Sequence, residues 1–206
     1  MRAPPLLPTA LAALLLAGCA QTTEPTPGHR IGRFLDATQI PAAISARPAP
    51  PIRLGEASGA HLDTAAWRGR PYAVVFVYAN CGPLCQLIAE ELRESLAALG
   101  TQARHVAVVS VSVDPREDTP AAVRAFLLRH REPPNFHYVI GSESQLQPIW
   151  SHYEASPLIP DNPQTARLGY IWLVDGRGRV RVLFDASSPF KPDDLAQDFR
   201  VLLRQR

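Results

Sequence analysis

The stretch Tyr72-Ala73-Val74-Val75-Phe76-Val77-Tyr78-Ala79-Asn80-Cys81-Gly82-Pro83-Leu84-Cys85 decides the fold. Its first seven residues are a nearly continuous β-branched and aromatic run, the pattern of a strand buried on both faces. Pro83 suits the first turn of a helix, where its missing N–H costs nothing. Leu84, Ile88, Leu92, Leu96 and Leu99 then share one helical face, and Gly100 stops it. Cys81 and Cys85 therefore lie where a buried strand gives way to a helix over 83–99. N–H groups and the dipole at a helix N-terminus stabilise thiolates. The i, i+4 spacing predicts both sulfurs on one helical face, close enough to join or to clasp one metal ion. Thiolates are soft donors and favour Cu(I) over hard cations. The alternative is a plain structural disulfide, but so short a closed loop stabilises little by loop entropy.

Downstream, the pattern keeps alternating. Val-rich 105–113 reads as a second strand, and Asp118-Thr119-Pro120 opens a helix to about Arg131, with Asp118 or Thr119 as its cap. Residues 136–140 read as a short strand and 142–153 as a helix capped by Ser142. Residues 169–174 and 180–184 form a hairpin around Asp175-Gly176-Arg177-Gly178. A terminal amphipathic helix covers 192–203. Upstream, 52–67 reads as an extended arm or hairpin broken at Ser58-Gly59. The order β-α-β-α-β-α-β-β-α predicts an α/β fold, a mixed sheet with helices on both faces. Arg177, Arg179 and Arg181 read as a solvated turn.

The first 51 residues differ in kind. The segment 1–18 has one cation, Arg2, and a short apolar run at 11–17, too short to span a bilayer. It ends in Leu16-Ala17-Gly18-Cys19, which looks like a bacterial lipobox, so Cys19 is the expected lipidation site. Nine of the 21 prolines fall before residue 52, and 19–51 reads as a Pro-rich tether. Residues 52–206 are enough for one domain with its own core. With three cysteines in all and Cys19 acylated, Cys81 and Cys85 remain as a pair in an oxidising, exported setting. The formal charge of +2 is too small for a nucleic-acid footprint.

The residues from 52 onward resemble the SCO/SenC family, thioredoxin-like copper proteins that help assemble the dinuclear copper centre of cytochrome c oxidase. Phe76-Val77-Tyr78-Ala79-Asn80-Cys81 resembles the family's strand running into its first cysteine. Cys81 and Cys85 match its C-x-x-x-C. Asp114-Pro115-Arg116-Glu117-Asp118-Thr119-Pro120 matches its D-P-x-x-D-T-P, and Gly141-Ser142 and the 173–178 hairpin follow in order. The resemblance implies a thioredoxin-like fold, copper held by Cys81 and Cys85, and the copper-bearing oxidase subunit as partner. The setting it implies is the periplasmic face of a bacterial membrane, reached through a lipid anchor.

The departures carry equal weight. The family's usual C-P-x-x-C-P is Cys81-Gly82-Pro83-Leu84-Cys85-Gln86 here. Its third copper ligand is a histidine before the hairpin. That position falls at or near Arg167, and no histidine follows His152. An arginine there opposes a bound cation and lowers a thiolate pKa. Of the six histidines, His29 and His61 read as exposed. His105 and His137 read as edge-strand residues and His130 as a helix C-terminal residue. His152, ending its helix, is the one candidate substitute ligand. Two functions stay open. One is a metallochaperone carrying copper, as Cu(I) rather than Cu(II). The other is a thiol-disulfide oxidoreductase acting on the oxidase subunit or another exported thiol protein, without stable copper. A domain keeping an inert disulfide is a third, and a peroxiredoxin fits Cys81-Gly82-Pro83-Leu84-Cys85 poorly.

Overall fold

Every residue of β3 (Tyr72–Val77) is buried, and the sheet is built outward from it. The computed structural model describes residues 48–155, 169–185 and 191–205. Cys19, His29, Arg167, the 1–18 segment and most of the tether lie outside them.

The other strands are β1 (Arg53–Glu56), β2 (His61–Asp63), β4 (Ala107–Ser112), β5 (Phe136–Ile140), β6 (Tyr170–Val174) and β7 (Val180–Asp185). They form one seven-stranded sheet in the order β2-β1-β5-β4-β3-β6-β7. β3, β4 and β5 run parallel; β6 is antiparallel to β3, β7 to β6, and β1 to both β5 and β2. The sheet is therefore mixed. Its central strands are largely apolar and buried because helices cover both faces, Ser110 and Ser112 of β4 being buried polar exceptions.

The helices are α1 (Pro83–Ala98), α2 (Pro120–His130), α3 (Glu143–His152) and α4 (Pro192–Arg204). α1 packs against both α2 and α4. On that face Phe126 of α2 meets Tyr138 edge-on at 5.6 Å. The opposite face carries Phe76 and Trp172, and Tyr153, just after α3, packs on both at 5.7 and 5.5 Å. No helix among the described residues is long and apolar enough to cross a membrane.

Local signals explain the boundaries. Thr119 caps α2, its Oγ1 accepting from the Ala122 N–H at 3.2 Å. Ser142 and Gln145 form a capping box on α3. The 105–113 strand is shorter than expected because Gly100–His105 folds as a 3-10 turn, which takes His105 out of the sheet. His137 is corrected too. β5 lies inside the sheet between β1 and β4, and His137 sits half-buried with Nδ1 3.3 Å from Glu56 and its ring 5.2 Å from Trp67. The Arg177–Arg181 turn is solvated, with Arg177 and Arg179 exposed, and it is also paired. Arg179 Nε and Arg181 Nη1 reach the buried Asp175 carboxylate at 3.3 and 3.1 Å.

At the N-terminal end of β3, the chain from Pro48 straps across the β6–β7 turn. Pro48 bridges Arg179, and the Ala49 N–H donates to the Gly178 carbonyl at 2.7 Å.

Candidate functional site

β3 ends at Val77, and a tight turn follows. The Cys81 N–H donates to the Tyr78 carbonyl at 3.1 Å, and Gly82 is the residue that starts α1. Cys81 thus precedes the helix, and Cys85 lies in its first turn. Contrary to the expectation of a shared helical face, the turn before the helix brings Cys81 round to Cys85. The two are joined as a disulfide with Cα atoms 5.7 Å apart, inside the usual range. Cys85 is fully buried and Cys81 keeps 8% exposure, so Cys81 is the outer sulfur.

What holds this turn is Asp118. Its carboxylate is 4% exposed and accepts three hydrogen bonds. The Ala79 N–H donates at 2.7 Å, the Ser112 hydroxyl at 2.5 Å and the Tyr138 hydroxyl at 2.9 Å. Ala79 is two residues before Cys81, so one carboxylate ties the cysteine turn to β4 and β5. Burial pushes the Asp118 carboxyl above its usual range, with its hydrogen bonds pulling the other way. Trp150 of α3 adds a bond from Nε1 to the Ser112 carbonyl at 2.9 Å. In the sequence Asp118 stands only as a possible helix cap, and nothing local to it points to this clasp. The signal was Ser112, a polar residue in a Val-rich buried strand, which needs a buried partner.

Reduced, Cys81 and Cys85 would offer two soft thiolates at one point, a donor set that fits Cu(I) in a two-sulfur site. Among the described residues no group of three His, Cys, Asp or Glu side chains is placed to hold a metal ion. His152 ends α3 half-buried, its ring 5.0 Å from that of Tyr153. A Cu(II) centre, which prefers additional nitrogen or oxygen donors, does not fit this set.

Comparison with solved structures agrees with the fold. ScoI of Bradyrhizobium japonicum with copper bound superposes with a TM-score of 0.64 at 24% identity, over 76% of this chain and 99% of that one. BsSco, a member of the Sco family of cytochrome c oxidase assembly proteins in which a disulfide switch was identified, gives 0.66 at 19%, over 77% and 95%. Yeast Sco1 with copper bound gives 0.62 at 15%, over 78% and 96%. No curated protein matches the sequence. The SCO1/SenC family model matches residues 45–204, a span that takes in every strand and helix among the described residues and the cysteine turn between β3 and α1. On that match, the chain belongs to the SCO1/SenC family.

Proposed function

We propose that this chain is an exported protein, anchored by lipid at Cys19, that uses Cys81 and Cys85 to carry Cu(I) or exchange thiols. Its service is to the copper centre of cytochrome c oxidase. Residues 1–18 are the export signal, 19–51 the tether and 52–206 the working domain. One observation carries the reading: Cys81 and Cys85 meet at the end of the central strand in a turn clasped by a buried carboxylate. The copper-bound Sco structures support copper as the cargo, and BsSco supports the redox use of a disulfide in this fold.

A second reading is thiol-disulfide exchange without stable copper. It is favoured by the donor count, since no histidine follows His152 and no third donor stands with the pair among the described residues. Anaerobic Cu(I) loading of the reduced full-length chain separates the two. The copper reading expects about one copper per chain, with near-complete loss in Cys81→Ser and Cys85→Ser, because one thiolate alone makes a poor site. No copper retained by a fully reduced pair would leave the exchange reading standing and remove the cargo reading.

A further inference from the structure

α1 carries more than Cys85. Gly82, Gln86, Glu90 and Arg93 follow one another at three- and four-residue steps, so they share one helix face. That face starts at the cysteine turn. It leads into a cleft of about 380 Å³ between α1 and the C-terminal end of α2, lined by Gln86, Glu90, Arg93, Arg129, His130 and Arg131.

The cleft holds three guanidinium groups against one carboxylate. Arg93 is already paired, 3.8 Å from Glu90 and 3.5 Å from Glu94, so the uncompensated cations of the cleft are Arg129 and Arg131. Arg129 and Arg131 are exposed and pair with no carboxylate among the described residues. Arg131 occupies the left-handed C-terminal position of α2, φ 54° and ψ 44°, where glycine is the usual residue. The chain thus sets a cation where backbone geometry favours no side chain at all. The next residue, Glu132, does not cancel this charge at neutral pH, because burial pushes its carboxyl up to about 8. Whole-chain charge is only +2, so the excess here is local.

We propose that this cleft is a docking site for an acidic segment of the protein that the cysteine pair serves. The inference rests on the thiol-exchange half of the proposed function and names the chemistry of its partner. From Pro83, two residues after Cys81, to Arg93 the helix rises ~15 Å, which about five extended residues span. Carboxylates seated on Arg129 and Arg131, beside Arg93, would therefore leave a partner disulfide about five residues away within reach of Cys81. The Cys81 thiolate attacks one partner sulfur, breaking the partner's S–S bond and releasing a thiolate that takes a proton from water. The Cys85 thiolate then attacks Cys81, closing the pair and releasing the second partner thiolate. Two electrons pass from the pair to the partner.

The test uses the full chain and disulfide-linked dimers of short peptides. Each has one cysteine, two glycines and then three aspartates, three serines or three lysines. At low ionic strength the reduced wild type should reduce the aspartate peptide about fivefold or more faster than the serine peptide. Salt of about 0.3 M should remove the preference. Arg129→Glu/Arg131→Glu should bring the ratio to about one or below, with the serine-peptide rate unchanged and helical circular dichroism intact. Equal rates for the two peptides in the wild type, or a preference that survives the double variant, would overturn the proposal. Binding of a labelled aspartate peptide with serine in place of its cysteine, measured on the oxidised chain by fluorescence anisotropy, separates the two claims. Arginine-dependent binding without any exchange keeps the cleft and sinks the exchange reading. Absence of binding sinks the cleft.

Discussion

A carboxylate removed from water is costly unless donors surround it, and Asp118 has three. Asp118→Ala would leave the Ala79 N–H buried and unpaired and the Ser112 hydroxyl without its acceptor, with Tyr138 left only its longer bond to the Val77 carbonyl at 3.4 Å. The expected loss is about 2–4 kcal/mol of stability by urea unfolding. Asp118→Asn should cost less than half of that, because its amide oxygen can still accept from Ala79 while the hydroxyls turn to accept from its nitrogen. By the family resemblance, Arg167 falls at or near the position of the third copper ligand. If it occupies the family's histidine position, Arg167→His adds the missing nitrogen donor. Titrating Cu(II) into the reduced wild type should consume two Cu(II) per chain, giving two Cu(I) and the disulfide. The variant should instead show a persistent sulfur-to-copper charge-transfer band. Such a band in the wild type would mean that another donor has joined the pair. The cysteines were legible as a pair because residue type and spacing already imply their chemistry. Asp118 was not, because a helix-opening Asp-Thr-Pro satisfies local rules whether or not the carboxylate turns inward.

At the level of elements, strands and helices were legible wherever hydrophobic period and a cap agreed. Proline at the second residue of Gly82-Pro83 and Thr119-Pro120 marked both helix starts, and β3 and β5 fell within a residue of their expected bounds. Two things escaped. Strand order is a non-local property, so nothing in Phe136-His137-Tyr138 said that β1 would cover β5 and make His137 an interior residue. The approach of two turns escaped as well. The Gly69 N–H donates to the Gly176 carbonyl at 2.9 Å, and a Cβ on Gly176 would stand 2.7 Å from the Gly69 Cα. Since that neighbour is backbone, it cannot step aside. Gly176→Ala should push the β6–β7 hairpin off the β3 entry turn, lower stability by about 1–3 kcal/mol and raise amide exchange at Gly69. An unchanged melting curve would contradict the closeness of the two turns.

Over the whole molecule, buried carboxyls set the response to pH. Burial, with Asp194 nearby, pushes Asp198 of α4 up to about 7, and burial pushes Glu132 up to about 8. Both hold their protons more tightly folded than unfolded. Their stabilising effect is complete below the unfolded values near 4 and is lost as pH rises through 7 and 8. Asp175 runs the other way: its carboxyl is lowered by donors from Arg177, Arg179 and Arg181 against the pull of burial, so its share is lost in acid. Stability should therefore peak in mildly acid solution and fall toward pH 8.5. Asp198→Asn should flatten that fall, with a gain at pH 8.5 of the order of 1 kcal/mol, or roughly 2–4 °C in Tm for a chain of this size. A parallel pH profile in wild type and variant would show that Asp198 titrates normally.

The strap at Pro48 and Ala49 has a consequence for how the domain searches its surroundings. It is fastened at the β6–β7 turn, beside the start of β3, while the cysteines lie past its end, about 20 Å away for six residues of strand. A lipid at Cys19 would pull on the end opposite the sulfurs, so the pair leads and the anchored end trails. The 28 residues from 20 to 47 span at most ~100 Å. With the proposed lipid at Cys19, one domain confined to a hemisphere of that radius would be present at roughly 1 mM to a partner lying within it. At that local concentration a contact with a Kd near ~1 mM, about −4 kcal/mol, is already half occupied. Tight recognition would then be unnecessary, and weak, quickly released contacts would let one tethered domain serve several partners within its reach in turn.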